Sequence, residues 1–241
     1  MRTTIQFLGT PPSDEYDDKK LLGVYDFTHP GGAFEVHLRS RSRFFAPNFK
    51  ENSMWRCDRS ADASTYQLLI EWGKYGRYAL DMDMAAHPPC CAGSAIGQPE
   101  NWRTMIMKRP FTLCESKIMD SEWKFEHAGG SFSIEFHADG LNSFNCPLFP
   151  ARAFWRIEDV ESRTPTVHIN WDRFGEYELK MAPDGESMTG SAKGHPQEWR
   201  KAERLGALDE TRNVIKKRGR EGCGGCKKGC GECGRGDEVE D

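Results

Sequence analysis

Thr166-Val-His-Ile-Asn-Trp-Asp-Arg-Phe-Gly-Glu-Tyr-Glu-Leu-Lys-Met181, closed by Ser191-Ala-Lys-Gly-His-Pro-Gln-Glu-Trp-Arg200, has a near copy about a hundred residues earlier. That copy reads Leu68-Leu-Ile-Glu-Trp-Gly-Lys-Tyr-Gly-Arg-Tyr-Ala-Leu-Asp-Met82, followed by Ser94-Ala-Ile-Gly-Gln-Pro-Glu-Asn-Trp-Arg103. Leu68, Ile70 and Trp72 alternate with polar residues, as do Val167, Ile169 and Trp171. A period of two is the mark of a half-buried strand. Gly73 to Gly76, or Asp172 to Gly175, then reverses the chain, and Tyr78, Leu80 and Met82, or Tyr177, Leu179 and Met181, line one face of the return strand. The chain is therefore a duplicated β unit.

Upstream, the copies also correspond. His29-Pro-Gly-Gly32 leads into Phe34, Val36 and Leu38, and His127-Ala-Gly-Gly130 into Phe132, Ile134 and Phe136. Met54-Trp-Arg56 matches Phe154-Trp-Arg156. Runs bounded by turns number about six per copy, at the spacing of sandwiches and barrels. The expected architecture is all-β: two tandem antiparallel meanders, forming two packed sheets or the halves of one barrel. Its segments are a flexible leader (1–20), repeat 1 (21–110), a linker (111–120), repeat 2 (121–205), an amphipathic helix and basic segment (206–220), and a Cys/Gly-rich then acidic tail (221–241). Leu205, Leu208, Arg212 and Ile215 carry the helical spacing. The tryptophans kept in both copies, Trp55 with Trp155, Trp72 with Trp171 and Trp102 with Trp199, read as core.

The 241 residues carry a formal net charge of −4, which argues against a general affinity for nucleic acid or anionic membrane. No apolar run approaches the roughly 18 residues of a membrane span. The N-terminus is too short in apolar character for a secretory signal, so the nine cysteines suit an intracellular, cytoplasmic setting with free or metal-bound thiols. Cys57 and Cys146 read as small buried apolar residues.

Chemistry concentrates in the tail. Cys223, Cys226, Cys230 and Cys233 form two C-x-x-C pairs, four thiolates suited to zinc or another soft metal. The plain alternative is a Gly-Cys tail with adventitious metal affinity. Lys216-Lys-Arg-Gly-Arg220 is a solvated segment or a nuclear signal. A second place to look is the loop with His87 and Cys90-Cys91, two residues longer than its counterpart. His29 and His127 read as turn-stabilising, and His37, His137 and His168 as solvated on outward strand faces. No nucleophile elbow, H-E-x-x-H, P-loop or dinucleotide fingerprint occurs.

Gly23-Val-Tyr25 opening a strand, the meander after it and the terminal Trp-Arg pair resemble the calycins, the lipocalin and fatty-acid-binding type of antiparallel barrel. Those barrels hold apolar ligands or haem, and their signature is Gly-x-Trp on the first strand with a basic residue packed over it. Here Tyr25 takes the aromatic place in one copy, and Ser121-Glu-Trp123 lacks the glycine in the other.

The leading expectation is a binding protein that holds a small apolar ligand among strand-borne aromatics or at the seam between units. Trp72, Tyr78, Trp171 and Tyr177 are the expected lining, each also readable as plain core. The rivals are an interaction module that presents its sheets to a protein partner, and a thiol redox protein that uses the terminal cysteines.

Overall fold

The computed structural model describes residues 18–59, 66–83 and 85–208. Each copy forms a closed eight-stranded antiparallel barrel with strands in simple up-and-down order. Barrel 1 comprises β1 (Gly23–His29), β2 (Gly32–Arg39), β3 (Arg43–Phe45), β4 (Ser53–Arg59), β5 (Tyr66–Trp72), β6 (Gly76–Asp83), β7 (Cys90–Ala95) and β8 (Gln98–Arg109). A helix, α1 (Leu113–Ile118), connects it to barrel 2. Barrel 2 comprises β9 (Ser121–His127), β10 (Gly130–Phe136), β11 (Ser143–Asn145), β12 (Ala153–Glu158), β13 (Thr166–Asn170), β14 (Glu176–Met181), β15 (Ser187–Ala192) and β16 (His195–Ala207).

The all-β tandem architecture is as expected, but each copy closes on itself instead of supplying half of one barrel. The count of six strands is low for two local reasons. β3 and β11 are three residues long, too short to show alternation. The run from Gly93 to Arg103 is not one strand but a hairpin, turned at Ile96-Gly97 in copy 1 and at Lys193-Gly194 in copy 2, with glycine φ of +81° and +77°. Glycine takes that conformation without steric cost.

Closure comes from the last strand. β8 and β16 are 12 and 13 residues long, enough to pair with the preceding strand and then with the first. Phe27 faces Met105 across the β1–β8 seam, and Phe125 faces Ala202 across β9–β16. The closing seams carry register shifts of their own, at Val24/Tyr25 in barrel 1 and at Arg204/Gly206 in barrel 2, where a bulge adds local twist.

The inward residues fill the barrels. Leu68, Ile70, Trp72, Tyr78, Leu80 and Met82 are all buried in barrel 1, and Val167, Ile169, Trp171, Tyr177, Leu179 and Met181 in barrel 2. Trp102 and Trp199 are corrections to the core reading, at 43% and 47% exposed. Strand alternation turns them outward and sends the neighbouring arginines in: Arg103 lies 5.1 Å from the Tyr78 ring and Arg200 5.0 Å from that of Tyr177. Cys146 is a buried free thiol, and Cys57 is half-buried with its Sγ 3.5 Å from Met82 Sδ.

The connector is more than a linker. Thr112 caps α1 through a reciprocal box with Glu115, and Cys114 and Ile118 pack into the barrel 2 core. Residues 18–20 of the expected leader join the first residue of repeat 1 in a short 3-10 turn, Asp18–Leu21, whose Leu21 packs into barrel 1. Residues 205–207 continue β16 as strand, where the start of a helix was expected. The rest of that helix, the basic segment and the tail lie outside the described residues.

Gly93 and Gly190 occupy equivalent close approaches. A Cβ on Gly190 would lie 1.9 Å from the Glu178 carbonyl oxygen, and one on Gly93 2.1 Å from that of Ala79. Gly190→Val is therefore expected to destabilise barrel 2 by about 2–4 kcal/mol, seen as a lower urea midpoint. A midpoint unchanged from wild type would show that β14 and β15 can separate without cost.

Candidate functional site

Because each barrel is closed, the two meet through side chains and loops. Gly140, in a two-residue insertion relative to copy 1, sits so close to barrel 1 that a Cβ there would be 1.8 Å from the Glu51 carbonyl oxygen. Arg39, at the end of β2, crosses the junction. Its Nη1 donates to Asn142 Oδ1 at 2.5 Å and to the Asp139 carbonyl at 3.5 Å. Asn142 has φ of +55°, a left-handed conformation that asparagine tolerates better than most residues. Arg41 adds a contact to the Leu208 carbonyl at 3.1 Å and to Asp120 at 3.7 Å.

Beside this junction lies a cleft of about 650 Å³. Barrel 1 contributes Glu35, His37 and Arg39 from the outer face of β2, Phe45 from β3, and Lys50 from the following turn. Phe111, Glu115 and Met119 come from the connector, and Asn142, Trp155, Arg156, Ile157 and Val160 from barrel 2. The lining mixes charged side chains with the apolar surfaces of Phe45, Phe111, Met119, Trp155, Ile157 and Val160.

His37 is buried, so the expectation of a solvated histidine fails for a simple reason: the outer face of β2 is covered by the connector and the second barrel. His37 Nε2 bonds Glu35 Oε1 at 2.9 Å, and its Nδ1 lies 3.3 Å from Arg39 Nη2. Burial holds the imidazole below its ordinary pKa, with Arg39 pushing the same way and Glu35 opposing. The His37 hydrogen bond in turn leads the factors that lower Glu35. Arg39 is 3% exposed, and burial pushes its pKa down to about 9, so it remains charged at neutral pH. Its guanidinium stacks 4.0 Å from the Phe45 ring centre. Nearby, Arg109 and Glu115 form a two-point ion pair at 2.7 and 3.0 Å, and Glu115 also accepts from the Thr112 backbone N–H.

The residues expected to line a ligand site lie elsewhere. Trp72 and Tyr78 sit in a ring cluster at one end of barrel 1, with Trp72 Nε1 donating to the Phe49 carbonyl and the Tyr78 hydroxyl to that of Tyr75. Trp171 and Tyr177 repeat this in barrel 2 and border a recess of about 160 Å³ with Phe132, Phe149 and Phe174. His29 and His127 accept from the Gly31 and Gly129 N–H groups at 3.1 and 3.2 Å, the turn contacts expected of them. His137 and His168 are not simply solvated: Glu135 lies 3.1 Å from His137, and Glu158 2.9 Å from His168.

The His87 loop does not gather its thiols. Cys90 and Cys91 are neighbours on β7 and therefore point to opposite faces. Cys91 turns into the core, where burial pushes its thiol up to about 12, while His87 is exposed. Cys223, Cys226, Cys230 and Cys233 lie outside the described residues. Among the described residues, no group of three or more His, Cys, Asp or Glu is placed to hold a metal ion. None of the described helices is long and apolar enough to cross a membrane.

The cleft residues escaped the sequence reading because outward strand positions resemble solvated ones. A signal was nonetheless present in the comparison of copies. Outward Glu35, His37 and Arg39 align with Ser133, Glu135 and His137, and Phe45 and Lys50 with Asn145 and Pro150, while the inward residues between them stay apolar.

His37 gives the cleft a pH signature. With its native pKa below the unfolded value, the unfolded chain binds the extra proton first, so stability falls as pH drops below about 6.5. His37→Gln should flatten the loss of urea stability between about pH 7 and 5. Equal slopes in the two proteins would mean that His37 titrates normally in the fold. No family model matches the chain, and neither curated proteins nor solved structures provide a match, so the functional reading is built on this geometry.

Proposed function

We propose that the protein is a binding protein that holds a small organic ligand in the cleft between its barrels. The observation that carries this reading is the cleft itself: about 650 Å³, with buried Arg39, His37 and Glu115 converging on one region of it. Small-molecule sites are typically concave, roughly 300–1,000 Å³, mostly apolar, and equipped with a few fixed polar groups. The barrel interiors favour this location by contrast, because their own aromatic side chains occupy them. The recess beside Trp171 and Tyr177, at about 160 Å³, is small for a ligand of that class.

The groups in the cleft are also held in place before any ligand arrives. Arg39 is tied to Asn142, His37 to Glu35, and Glu115 to both Arg109 and the start of α1. Fixed partners reduce the ordering cost that binding would otherwise incur. The seam between units, one of the two places expected from sequence, is thus favoured over the strand-borne aromatics.

The test is a crystallographic soak of small aromatic and aliphatic fragments, paired with calorimetry on Val160→Trp. Val160 is half-buried on the turn after β12, and a tryptophan there would reach into the cleft. Fragments should occupy the cleft, and the substitution should weaken them roughly tenfold or more while leaving the urea midpoint in place. Fragments found inside a barrel, with affinity indifferent to Val160→Trp, would overturn the reading.

A further inference from the structure

We propose that the cleft receives an organic anion with an apolar body, its carboxylate held by Arg39 and Lys50 and its body against Phe111, Met119 and Ile157. The proposal rests on the cleft being the ligand site and names the chemistry that site selects.

The argument begins with how the charges lining the cleft are already committed. Arg109 is held at two points by Glu115, and Lys108 lies 3.6 Å from Glu35 and 3.5 Å from Asp26. Arg156 pairs with Glu158 at 2.8 Å. Two cations remain. Among the described residues, neither Arg39 nor Lys50 has a carboxylate within 4.0 Å. They are also near one another: Arg39 and Arg156 both depress the Lys50 pKa, adding to the larger effect of its partial burial. The unpaired acids of the lining, Asp159 and Glu161, are exposed on the turn after β12, and the carboxylates of Asp120, Asp139 and Glu115 act on Arg39 only from beyond 4.0 Å.

Arg39 also has unspent donor capacity. A guanidinium carries five N–H donors. Nη1 is engaged by Asn142 and the Asp139 carbonyl, and Nη2 makes one bond, to His37 Nδ1. Nε is buried without any hydrogen-bond partner. Nε and Nη2 lie along one edge of the guanidinium, with a spacing that fits the two oxygens of a carboxylate. The direct acceptors of this buried cation are all neutral, with the carboxylates of Asp120, Asp139 and Glu115 favouring its charge from beyond ion-pair distance, and a ligand carboxylate would give the unpartnered Nε a charged acceptor.

The body of the ligand follows from the apolar part of the lining. Phe111, Met119 and Ile157 are half-buried, so each retains apolar surface that a ligand can cover. A small inorganic anion would leave that surface uncovered, and a neutral ligand would offer no charged acceptor to the unpartnered Arg39 Nε or to Lys50.

Matched pairs of probes test this: 2-naphthoate against 2-naphthamide, and octanoate against octanamide. Affinities come from calorimetry, and the site from the Arg39 Nε–H signal in nitrogen-15 NMR. The carboxylates should bind about 10- to 100-fold more tightly than their amides and shift the Arg39 signal. Lys50→Met should weaken the acids severalfold and leave the amides alone. Arg39 also joins the barrels, so Arg39→Met carries a risk of misfolding, and the exposed Lys50 keeps the test decisive. Acid and amide binding equally, with Val160→Trp blocking both, would sink the anion proposal and spare the cleft. Carboxylate binding that leaves the Arg39 signal unmoved and ignores Lys50→Met would place the anion elsewhere and end the proposal. No binding of any of the four probes by the folded protein would bring down the cleft reading together with it.

Discussion

Each barrel depends on one pairing, that of its long last strand with its first. In β8 and β16 the chain must serve two neighbours in succession, and the length of each strand lets it do so. Closure has a consequence beyond stability. A closed barrel has no free edge, so neither unit can extend the other's sheet. The units are left to meet through outward side chains and loop backbone, which pack less completely than a shared core. The cleft beside Arg39 is the space that such a junction leaves.

Duplication then sets which positions are free to differ. The inward faces carry the same rings and aliphatic groups in both copies, because a barrel of eight strands must be filled from within. The outward faces are under no such constraint. At the junction, β2 and β3 of copy 1 meet β12, the Asn142 loop and α1 of copy 2, so the contact is heterologous and the two copies use different surfaces. Glu35, His37 and Arg39 belong to this contact, while their equivalents Ser133, Glu135 and His137 serve other neighbours. The insertion at Asp139-Gly140, absent from copy 1, is what lets the second barrel approach Glu51 so closely.

This division explains what could be read from sequence. Alternation at Leu68-Ile70-Trp72 and Val167-Ile169-Trp171 reports the inward face directly, and the tandem all-β fold followed from it. Three-residue β3 and β11 carry too little pattern to be seen, and the glycine turns at Gly97 and Gly194 lie inside runs that read as continuous. The cleft was illegible for a different reason. Alternation distinguishes inward from outward, but not outward-and-wet from outward-and-covered, and only the arrangement of the barrels decides that for His37. The kept Trp102 and Trp199 show the converse limit: persistence in both copies does not mean burial. Their arginine neighbours, turned over Tyr78 and Tyr177, take the inward place instead.

Arg39 and Arg109 are instructive together, since they share one cleft and are satisfied in opposite ways. Arg109 is answered by a carboxylate at two points, and Glu115 is in turn fixed by the helix cap, so that pair is complete within the chain. Arg39 is deeper, yet it is met by an amide oxygen, a backbone carbonyl, a ring nitrogen and the face of Phe45. Those partners hold the guanidinium in place, while the carboxylates of Asp120, Asp139 and Glu115 favour its charge only from beyond ion-pair distance. If Arg39 were only a fastener between barrels, a neutral donor could hold Asn142 at less cost, since burial of a charge far exceeds burial of an amide. A fixed, stacked cation that borders a cleft with its Nε unpartnered and no carboxylate in direct contact is better explained as a group held ready for a charge that arrives from outside.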